Sequence, residues 1–244
     1  MQILSNTEVL NFSHCGGPYD LTRANLETGW HLSPTTLEEQ AVIRFLKENP
    51  RRVTEKRLLH VGIGNSSIFR VFGHQLSAFV GLTVNLPEKV RFEETFGYPV
   101  NAKIYFANKH DVRSFDRIVG SFDLIVDVNL KSYACCERHF QDMIAVYVNR
   151  LAPDGMIITS GTGLTFGWPG NTPTAYTPGV STDEAARNWR ALGEEGLEQL
   201  SQRFHLKLER CLVQGVAHWH GQKDENGEPQ IVDETLWLLS KGST

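Results

Sequence analysis

Apolar residues along the chain fall into short blocks that are separated by helical patterns. A mostly apolar run at 58–61 has the length of a buried strand, and similar runs lie at 78–84, 102–107, 122–128 and 156–159. Alternation of strands and helices is typical of an open α/β sheet. These blocks therefore predict five strands of one sheet, with helices between them.

Helix boundaries are marked by capping residues, proline and glycine. Thr36 and Glu39 form a capping box that begins a helix, which ends before Pro50. Pro87 begins another helix, which Gly97 closes. The helix after the fourth strand has an apolar stripe made of Phe140, Ile144, Val148 and Leu151.

The segment after the fifth strand has a different composition. Residues 161–180 contain five glycines, three prolines and five threonines, and a loop of this length in a compact domain usually has a function. The segment also contains aromatic residues, which a disordered spacer usually lacks. We interpret 160–181 as a lid loop that faces the substrate, with a disordered segment as the alternative.

The last part of the chain predicts one helix and two strands. Ser181 and Glu184 form a second capping box, and a helix follows them. Strands are predicted at 206–213 and 235–240, joined by a polar connection at 221–233. Because no helix separates these two strands, we expect them to be antiparallel neighbours.

Together the elements predict an α/β fold. It consists of a seven-stranded, mostly parallel sheet with helices on both faces and a closing antiparallel strand pair. Residues 1–56 are predicted to form an N-terminal arm and a cap helix, and residues 57–244 the domain that contains the sheet. The arm either covers the ligand site or packs without ligand contact, and the sequence favours neither alternative.

Composition and charge exclude several classes of function. The chain has 244 residues, a net charge of -4 and no basic tract, so nothing favours a nucleic-acid partner. No apolar run reaches the roughly 18 residues of a membrane span, and no signal peptide is visible. The four cysteines show neither metal-binding nor disulfide spacing. We expect a cytoplasmic protein with a small-molecule partner, no nucleic acid, no membrane and no metal, and allow for a homodimer.

The first strand leads into a glycine turn, which is the main candidate for a ligand site. Gly62 and Gly64 permit a sharp turn and leave room for a ligand where a Cβ would lie. Asn65, Ser66 and Ser67 follow, and residues of these types cap helices. A strand, a glycine turn and a helix N-terminus form the nucleotide-binding corner of open α/β sheets.

The order of these elements resembles the class I S-adenosylmethionine-dependent methyltransferase fold, over roughly residues 58–241. Residues 61–65 resemble the glycine motif of that family, and 122–128 resemble its fourth strand. Residues 150–155 resemble its R-x-L-x-P-G-G turn, with Asp154 in place of one glycine. The resemblance implies that S-adenosylmethionine is the cofactor.

The resemblance also implies a contact for each part of the cofactor. Family members usually carry an acid after the second strand that binds the ribose; here Thr83 has that position, and Asn85 or Glu88 can substitute. Asp111, followed by Val112, matches the acid that accepts from the adenine amine, with helix capping as the alternative. The residues placed beside the methionine half and the methyl group are Gly62, Gly64, Asn65 and Asp127.

Substrate contacts are predicted from the same edge of the sheet and from aromatic residues. Asn129 ends the fourth strand beside Asp127 and is expected to face the substrate, with turn capping as the alternative. Aromatic side chains of the arm and the lid loop suit a mostly apolar pocket, with ordinary packing as the alternative. The aromatic candidates are Tyr19, Trp30, Phe166, Trp168 and Tyr176.

A base is required if the acceptor is a hydroxyl or an ammonium group. Histidine suits this role at neutral pH. His139, near the start of the helix after the fourth strand, is the first candidate and His31 the second. Either histidine is otherwise structural, and an acceptor that is already a good nucleophile needs no base.

The predicted function is methyl transfer from S-adenosylmethionine to a small-molecule oxygen or nitrogen. One alternative is the same fold with other chemistry, such as cyclisation, decarboxylation or aminopropyl transfer. Another is a catalytically silent homologue with a binding or regulatory role. A Rossmann dehydrogenase would use the same glycines, but Ser67 stands where its third glycine is expected.

Overall fold

A computed structural model describes residues 13–14, 17–18, 32–132, 134, 137–164 and 192–242. Strands Ser13–His14 and Gly17–Pro18 form a small antiparallel ladder of their own. The main elements are α1 (Leu37–Glu48), β1 (Arg57–Val61), α2 (Ser67–Phe72), β2 (Ala78–Thr83), α3 (Leu86–Phe96), β3 (Ala102–Phe106), β4 (Phe122–Val126), α4 (Glu137–Arg150), β5 (Leu151–Ser160), α5 (Gly161–Leu164), α6 (Gly193–Arg203), β6 (Leu206–Lys223) and β7 (Pro229–Lys241). Short 3-10 helices lie at Pro50–Arg52 and Val112–Phe115.

Strands β1 to β7 form one seven-stranded sheet in the order β3-β2-β1-β4-β5-β7-β6. The five strands β3, β2, β1, β4 and β5, taken in their order across the sheet, are all parallel to one another. Strand β7 is antiparallel to both of its neighbours, β5 and β6. The carboxyl ends of β1 to β5 therefore meet at one edge of the sheet, which we call the carboxyl edge. This arrangement confirms the predicted fold class, including the closing antiparallel pair.

Helix α1 packs against the sheet although it precedes the first strand. The hydroxyl of Thr36 accepts a hydrogen bond from the N–H of Glu39 at 3.3 Å, as the capping box predicts. On the solvent side, Arg44 and Gln40 donate to backbone carbonyls of β6. The buried residues of α1 that join the core are Leu37, Ala41, Val42, Phe45 and Leu46.

Two hydrophobic cores cover the two faces of the sheet. One core contains side chains of α1, α2 and α3, and the other contains side chains of α4 and α6. The predicted stripe of α4 is confirmed at Phe140 and Ile144, which are fully buried, whereas Val148 is half-buried and Leu151 begins β5. None of the described helices combines the length and the apolar content that crossing a membrane requires.

The closing strands are longer than the sequence predicts. Most of the connection expected at 221–233 belongs to β6 and β7, so that expectation was wrong. The actual turn is short, because the carboxylate of Asp224 accepts from the N–H groups of Asn226 and Glu228. Where burial is described, the hairpin end is largely exposed, at Lys223 on β6 and at Gln230, Ile231 and Asp233 on β7. These residues lack the alternation of apolar and polar positions that marks a half-buried strand.

Strand β5 also begins earlier than predicted. Phe122 on β4 pairs with Leu151 and Leu124 pairs with Met156, so the intervening residues of β5 form a bulge. This bulge includes residues 153–155, which belong to the turn expected at 150–155 from the family motif. Helix α5 is the first part of the predicted lid loop 160–181, while residues 165–191 lie outside the described residues.

Candidate functional site

The turn after β1 holds two glycines in a backbone conformation that other residues rarely adopt. The φ angle is +73° at Gly62 and +48° at Gly64. The N–H of Gly62 donates to the carbonyl of Leu82 on β2 at 2.7 Å, which anchors the turn to the neighbouring strand. Chain neighbours aside, no heavy atom of the described residues lies within 4 Å of a Cβ built on Gly62. Within the described part of the chain, the Cβ side of Gly62 therefore borders open space.

Asn65 connects this turn to helix α2 and to the segment before α1. Its Oδ1 accepts from the N–H of Ser67 at 3.0 Å, whereas Ser66, with φ +61°, makes no capping bond through its side chain. The Nδ2 of Asn65 donates to the carbonyl of Ser33 and to the hydroxyl of Thr35. Of the three predicted capping residues, Asn65 performs the role, and its amide is held by protein groups on both sides.

Glu88 supplies a carboxylate where the end of β2 has none. Thr83, at the end of β2, donates its hydroxyl to Oε2 of Glu88 at 2.6 Å, and the N–H of Gly64 donates to the same oxygen at 3.2 Å. Asn85 caps helix α3 by accepting from the N–H of Glu88. The side chain of Glu88 thus extends from the first turn of α3 to the glycine turn, and Oε1 takes part in neither bond.

The Glu88 carboxyl group is 4% exposed, and burial has a large effect on its ionisation. Burial raises its pKa from 4.5 to about 7. The hydroxyl of Thr83 and the N–H of Gly64 oppose this rise, and the nearby negative charge of Glu39 adds to it. Near neutral pH this group therefore exchanges between a neutral acid and a carboxylate.

Glu39 of α1 reaches the other side of the same turn. Its Oε2 accepts from the hydroxyl of Ser67 at 2.8 Å, at the first residue of α2. Its Oε1 lies 3.3 Å from Nε2 of His60, which is fully buried on β1, although the two groups are not aligned as a hydrogen bond. A Cβ built on Gly64 would lie 3.6 Å from Oε1 of Glu39. The residue that the sequence identified only as a helix cap therefore faces the glycine turn.

Asp111 follows β3 and faces Arg113. Its carboxylate accepts from the backbone N–H of Arg113 at 3.1 Å and pairs with the guanidinium through both oxygens, so capping of the 3-10 helix is one of its roles. Val112 beside it is 37% exposed, and Leu86, which follows β2 closely, is 46% exposed. Because β2 and β3 are neighbours, these two apolar side chains lie at adjacent strand ends.

Asp127 lies at the end of β4 and is 1% exposed. Both of its oxygens lie 2.9 Å from Nζ of Lys109, and Oδ2 also accepts from the hydroxyl of Tyr147 at 2.9 Å. Lys109 donates in addition to the backbone carbonyl of Asn129 at 2.7 Å. Burial lowers the pKa of Lys109 despite the adjacent carboxylate, and it raises the pKa of Tyr147 well above its usual value. This network joins the segments after β3 and β4.

A further buried carboxylate, that of Glu234, holds the start of the predicted lid loop. Oε1 of Glu234 on β7 accepts from the hydroxyl of Ser160 at 2.7 Å and from the N–H of Thr162 at 3.0 Å, and Oε2 accepts from the hydroxyl of Thr162. A Cβ on Gly163 would lie 1.7 Å from the carbonyl oxygen of Val128. The first residues of the loop are therefore packed closely against the end of β4, beside Asn129.

No family model matches the chain, and no curated protein matches it by sequence. The N-methyltransferase NodS from Bradyrhizobium japonicum WM9, solved with S-adenosyl-L-homocysteine, is similar in structure. It has a TM-score of 0.57 and 16% identity, over 91% of this chain and 97% of NodS.

Two further solved structures have a similar fold. A methyltransferase from Clostridium acetobutylicum ATCC 824, described as S-adenosylmethionine-dependent, has a TM-score of 0.51 and 12% identity, over 85% of this chain and 92% of that one. Precorrin-8w decarboxylase from Methanobacterium thermoautotrophicum has a TM-score of 0.51 and 11% identity, over 86% of this chain and 92% of that one. The chain has the class I methyltransferase fold.

Within this methyltransferase fold, the predicted cofactor residues with described positions share the carboxyl edge. Gly62, Gly64 and Asn65 follow β1, Thr83 ends β2 and Asn85 follows it, Asp111 and Val112 follow β3, and Asp127 follows β4, as does the predicted substrate residue Asn129. Their roles toward a ligand stay predictions. His139 is half-buried in the first turn of α4, and its role as a base also stays a prediction. The predicted residues outside the described part are Tyr19, Trp30, His31, Phe166, Trp168 and Tyr176.

The methyltransferase fold brings four further polar residues to this edge that the sequence did not single out for a site. Glu39 was not predicted as a site residue because the capping box of α1 already explains it. Tyr147 was not predicted because an apolar helix pattern explains it as part of the core. Lys109 was not predicted because its partner, Asp127, is 18 residues away in sequence. Its position two residues before the predicted cofactor residue Asp111 could have identified it as a candidate. Glu234 lies between the predicted connection at 221–233 and the predicted strand at 235–240, so neither pattern assigned it a role. In the described part of the chain, His, Cys, Asp and Glu side chains form no group of three or more that could hold a metal ion.

Proposed function

We propose that this chain transfers a methyl group from S-adenosylmethionine to an oxygen or nitrogen of a small molecule. The observation that carries the proposal is the pairing of an open glycine turn at Gly62 with the Glu88 carboxylate beside it. The open side of Gly62 admits a ligand close to the backbone. Glu88 supplies the acid that the neutral Thr83 lacks.

The residues around the turn fit the parts of an adenosyl ligand. Oε1 of Glu88 would accept from a ribose hydroxyl, because Thr83 and Gly64 bond only the other oxygen. Leu86 and Val112 present exposed apolar side chains at adjacent strand ends, which suits an adenine ring. Asp111 would accept from the adenine amine if it keeps its pairing with Arg113.

When bound, S-adenosylmethionine would supply an electrophilic methyl group. The protein's own contribution is to hold donor and acceptor close and aligned, which accounts for much of the acceleration of such displacements. In this proposal the network of Lys109, Asp127 and Tyr147 fixes the segment that carries Asn129. Asn129 then orients the acceptor, and His139 receives a proton when the acceptor loses one.

The acceptor is proposed to be small because the chain has a net charge of -4 and no basic tract. The aromatic residues predicted in the arm and the lid loop suit a mostly apolar pocket. NodS, which has the same fold, is an N-methyltransferase. The nitrogen or oxygen acceptor is proposed on these grounds.

The experiment is calorimetry with S-adenosylmethionine and S-adenosylhomocysteine on the wild type, Gly62→Ala and Gly97→Ala. Gly97 is a matched control, because its φ is +69° and its Cβ position is equally open. It lies at the other end of α3, about 16 Å along the helix from the carboxyl edge. We expect Gly62→Ala to weaken both ligands at least about tenfold, or 1.4 kcal/mol, and Gly97→Ala to leave both affinities unchanged.

Three other outcomes separate the alternatives. If the wild type binds neither compound, the proposal is wrong and a silent homologue is favoured. If it binds both but transfers no labelled methyl group to any of a panel of small amines and hydroxyl compounds, other chemistry is favoured. Decarboxylation is a concrete example of such chemistry, because precorrin-8w decarboxylase has a similar structure. Equal weakening by both glycine variants would contradict the placement of the site.

A further inference from the structure

Two buried carboxyl groups flank Gly64 from opposite elements. Glu39 comes from α1, and its two oxygens lie 3.6 and 3.9 Å from a Cβ position on Gly64. Glu88 comes from α3, and its Oε2 lies 3.2 Å from the backbone nitrogen of Gly64. Each residue is 4% exposed. Two acidic side chains therefore border the turn that the proposed function uses.

The hydrogen bonds that hold these two groups come from neutral donors. Glu39 accepts from the hydroxyl of Ser67, and Glu88 accepts from the hydroxyl of Thr83 and from a backbone N–H. Among the described residues, no lysine or arginine forms an ion pair with either carboxylate. Nε2 of His60, which is fully buried, lies 3.3 Å from Oε1 of Glu39, and this nitrogen has no aligned hydrogen-bond partner among the described residues.

The result is a concentration of negative charge beside open space. Charge interactions are stronger in a buried site than in water, because the surroundings screen them less. Burial is the main cause of the raised pKa of Glu88, and the nearby negative charge of Glu39 adds to it. A positive charge placed against the turn would relieve this repulsion, and a neutral ligand would not.

We infer that Glu39 and Glu88 make the site selective for the cationic sulfonium of S-adenosylmethionine over the neutral thioether of S-adenosylhomocysteine. The inference rests on the proposed function. When the methyl carbon bonds to the acceptor, the electron pair of the broken S–C bond stays on sulfur. Sulfur thereby loses its positive charge, and an acceptor O–H or N–H loses its proton to a base or to water. The same acidic pair that attracts the donor therefore favours release of the product.

Because Glu39 lies in α1, the segment before β1 takes part in the proposed selectivity for the sulfonium. The sequence predicts residues 1–56 as an arm and a cap helix, and α1 belongs to that segment. Through Glu39, α1 contacts the first residue of α2 and borders the glycine turn. The segment thus contributes to discrimination between donor and product as well as to packing.

The test measures the affinities of S-adenosylmethionine and S-adenosylhomocysteine by calorimetry at about pH 8. The variants are Glu39→Gln and Glu48→Gln. Glutamine keeps the shape of Glu39 and an oxygen that can accept from Ser67. Glu48→Gln is the control, because it removes the same charge from the exposed end of the same helix, about 13 Å further along.

We expect Glu39→Gln to lower the ratio of the two affinities about tenfold, by weakening S-adenosylmethionine while S-adenosylhomocysteine changes little. Glu48→Gln leaves the ratio unchanged. Unchanged binding of S-adenosylhomocysteine also shows that the variant is folded. An unchanged ratio in Glu39→Gln, or equal weakening of both ligands, would overturn the inference and leave the proposed function standing. Failure of the wild type to bind either compound would instead overturn the proposed function.

Discussion

Nζ of Lys109 lies 2.9 Å from both carboxylate oxygens of Asp127, and both side chains are buried. Lys109 follows β3 and Asp127 follows β4, although 18 residues separate them in sequence. Lys109 also donates to the carbonyl of Asn129. The pair therefore joins two segments of the carboxyl edge, including the one that carries the proposed substrate residue Asn129.

Lys109→Met is expected to lower the free energy of unfolding by about 3–5 kcal/mol, because it leaves the Asp127 carboxylate buried without its cation. Urea denaturation measures the change. Lys103→Met is the control, since Lys103 is exposed on β3, and we expect a change within about 0.5 kcal/mol. The double variant Lys109→Met with Asp127→Leu is expected to recover much of the loss. Equal stability of the two single variants would contradict the structural role of the pair.

The pH dependence of stability should reveal Glu88. Its pKa is raised from 4.5 to about 7 in the folded protein, so the folded state holds its proton over a range in which the unfolded state has lost it. Stability is therefore expected to fall as pH rises from about 4.5 to 7, by up to about 3 kcal/mol from this group. Thermal denaturation across this range measures the slope.

Glu88→Gln removes the titrating group and should flatten this part of the profile. Glu94→Gln is the matched control, because Glu94 lies on the exposed side of the same helix with 63% of its side chain accessible. Its removal should leave the slope as in the wild type. A slope that persists in Glu88→Gln would show that another group titrates in this range.

The sheet could be predicted from the sequence because each buried strand has its own apolar run. Strands β1 to β4 were predicted within two residues, whereas β5 begins five residues earlier than predicted. The glycine turn followed from Gly62 and Gly64 alone. The hairpin of β6 and β7 was predicted too short, because the sequence at its end shows no alternation of apolar and polar positions. Strand pairing at an exposed end depends on backbone hydrogen bonds, which leave little trace in side-chain composition.

The polar contacts of the site were harder to predict. The sequence placed Thr83 where the family carries an acid and named Glu88 as a substitute, and their roles toward a ribose stay predictions. That Glu88 bonds both Thr83 and Gly64 depends on how α3 is placed against β1, which is a tertiary property. The contact between Glu39 and Ser67 joins elements 28 residues apart in the same way. Contacts between residues of different elements produce no periodic pattern in the sequence, so they could not be predicted from it.

Glu234→Ala is expected to destabilise the protein by about 2–4 kcal/mol and to loosen the start of the lid loop. The change leaves the hydroxyl of Ser160 and two donors of Thr162 without their acceptor. Hydrogen exchange should show faster exchange of the Thr162 amide, which donates to this carboxylate. Glu225→Ala, in the exposed turn of the closing hairpin, is the control and should leave that amide unchanged. Unchanged protection in Glu234→Ala would contradict the anchoring role.

Gly163→Ala tests how closely the lid loop approaches the end of β4. A Cβ at this position would lie 1.7 Å from the carbonyl oxygen of Val128 and 2.8 Å from Oδ1 of Asn129, so backbone must move to admit it. We expect a loss of more than about 3 kcal/mol in the free energy of unfolding, measured by urea denaturation. Gly227→Ala is the control, because no heavy atom of the described residues surrounds its Cβ position, and only its φ of +79° opposes the change. The control should lose about 1 kcal/mol, the cost of a left-handed conformation in a non-glycine residue. A loss in Gly163→Ala no larger than that of the control would show that the loop can withdraw from β4 at little cost.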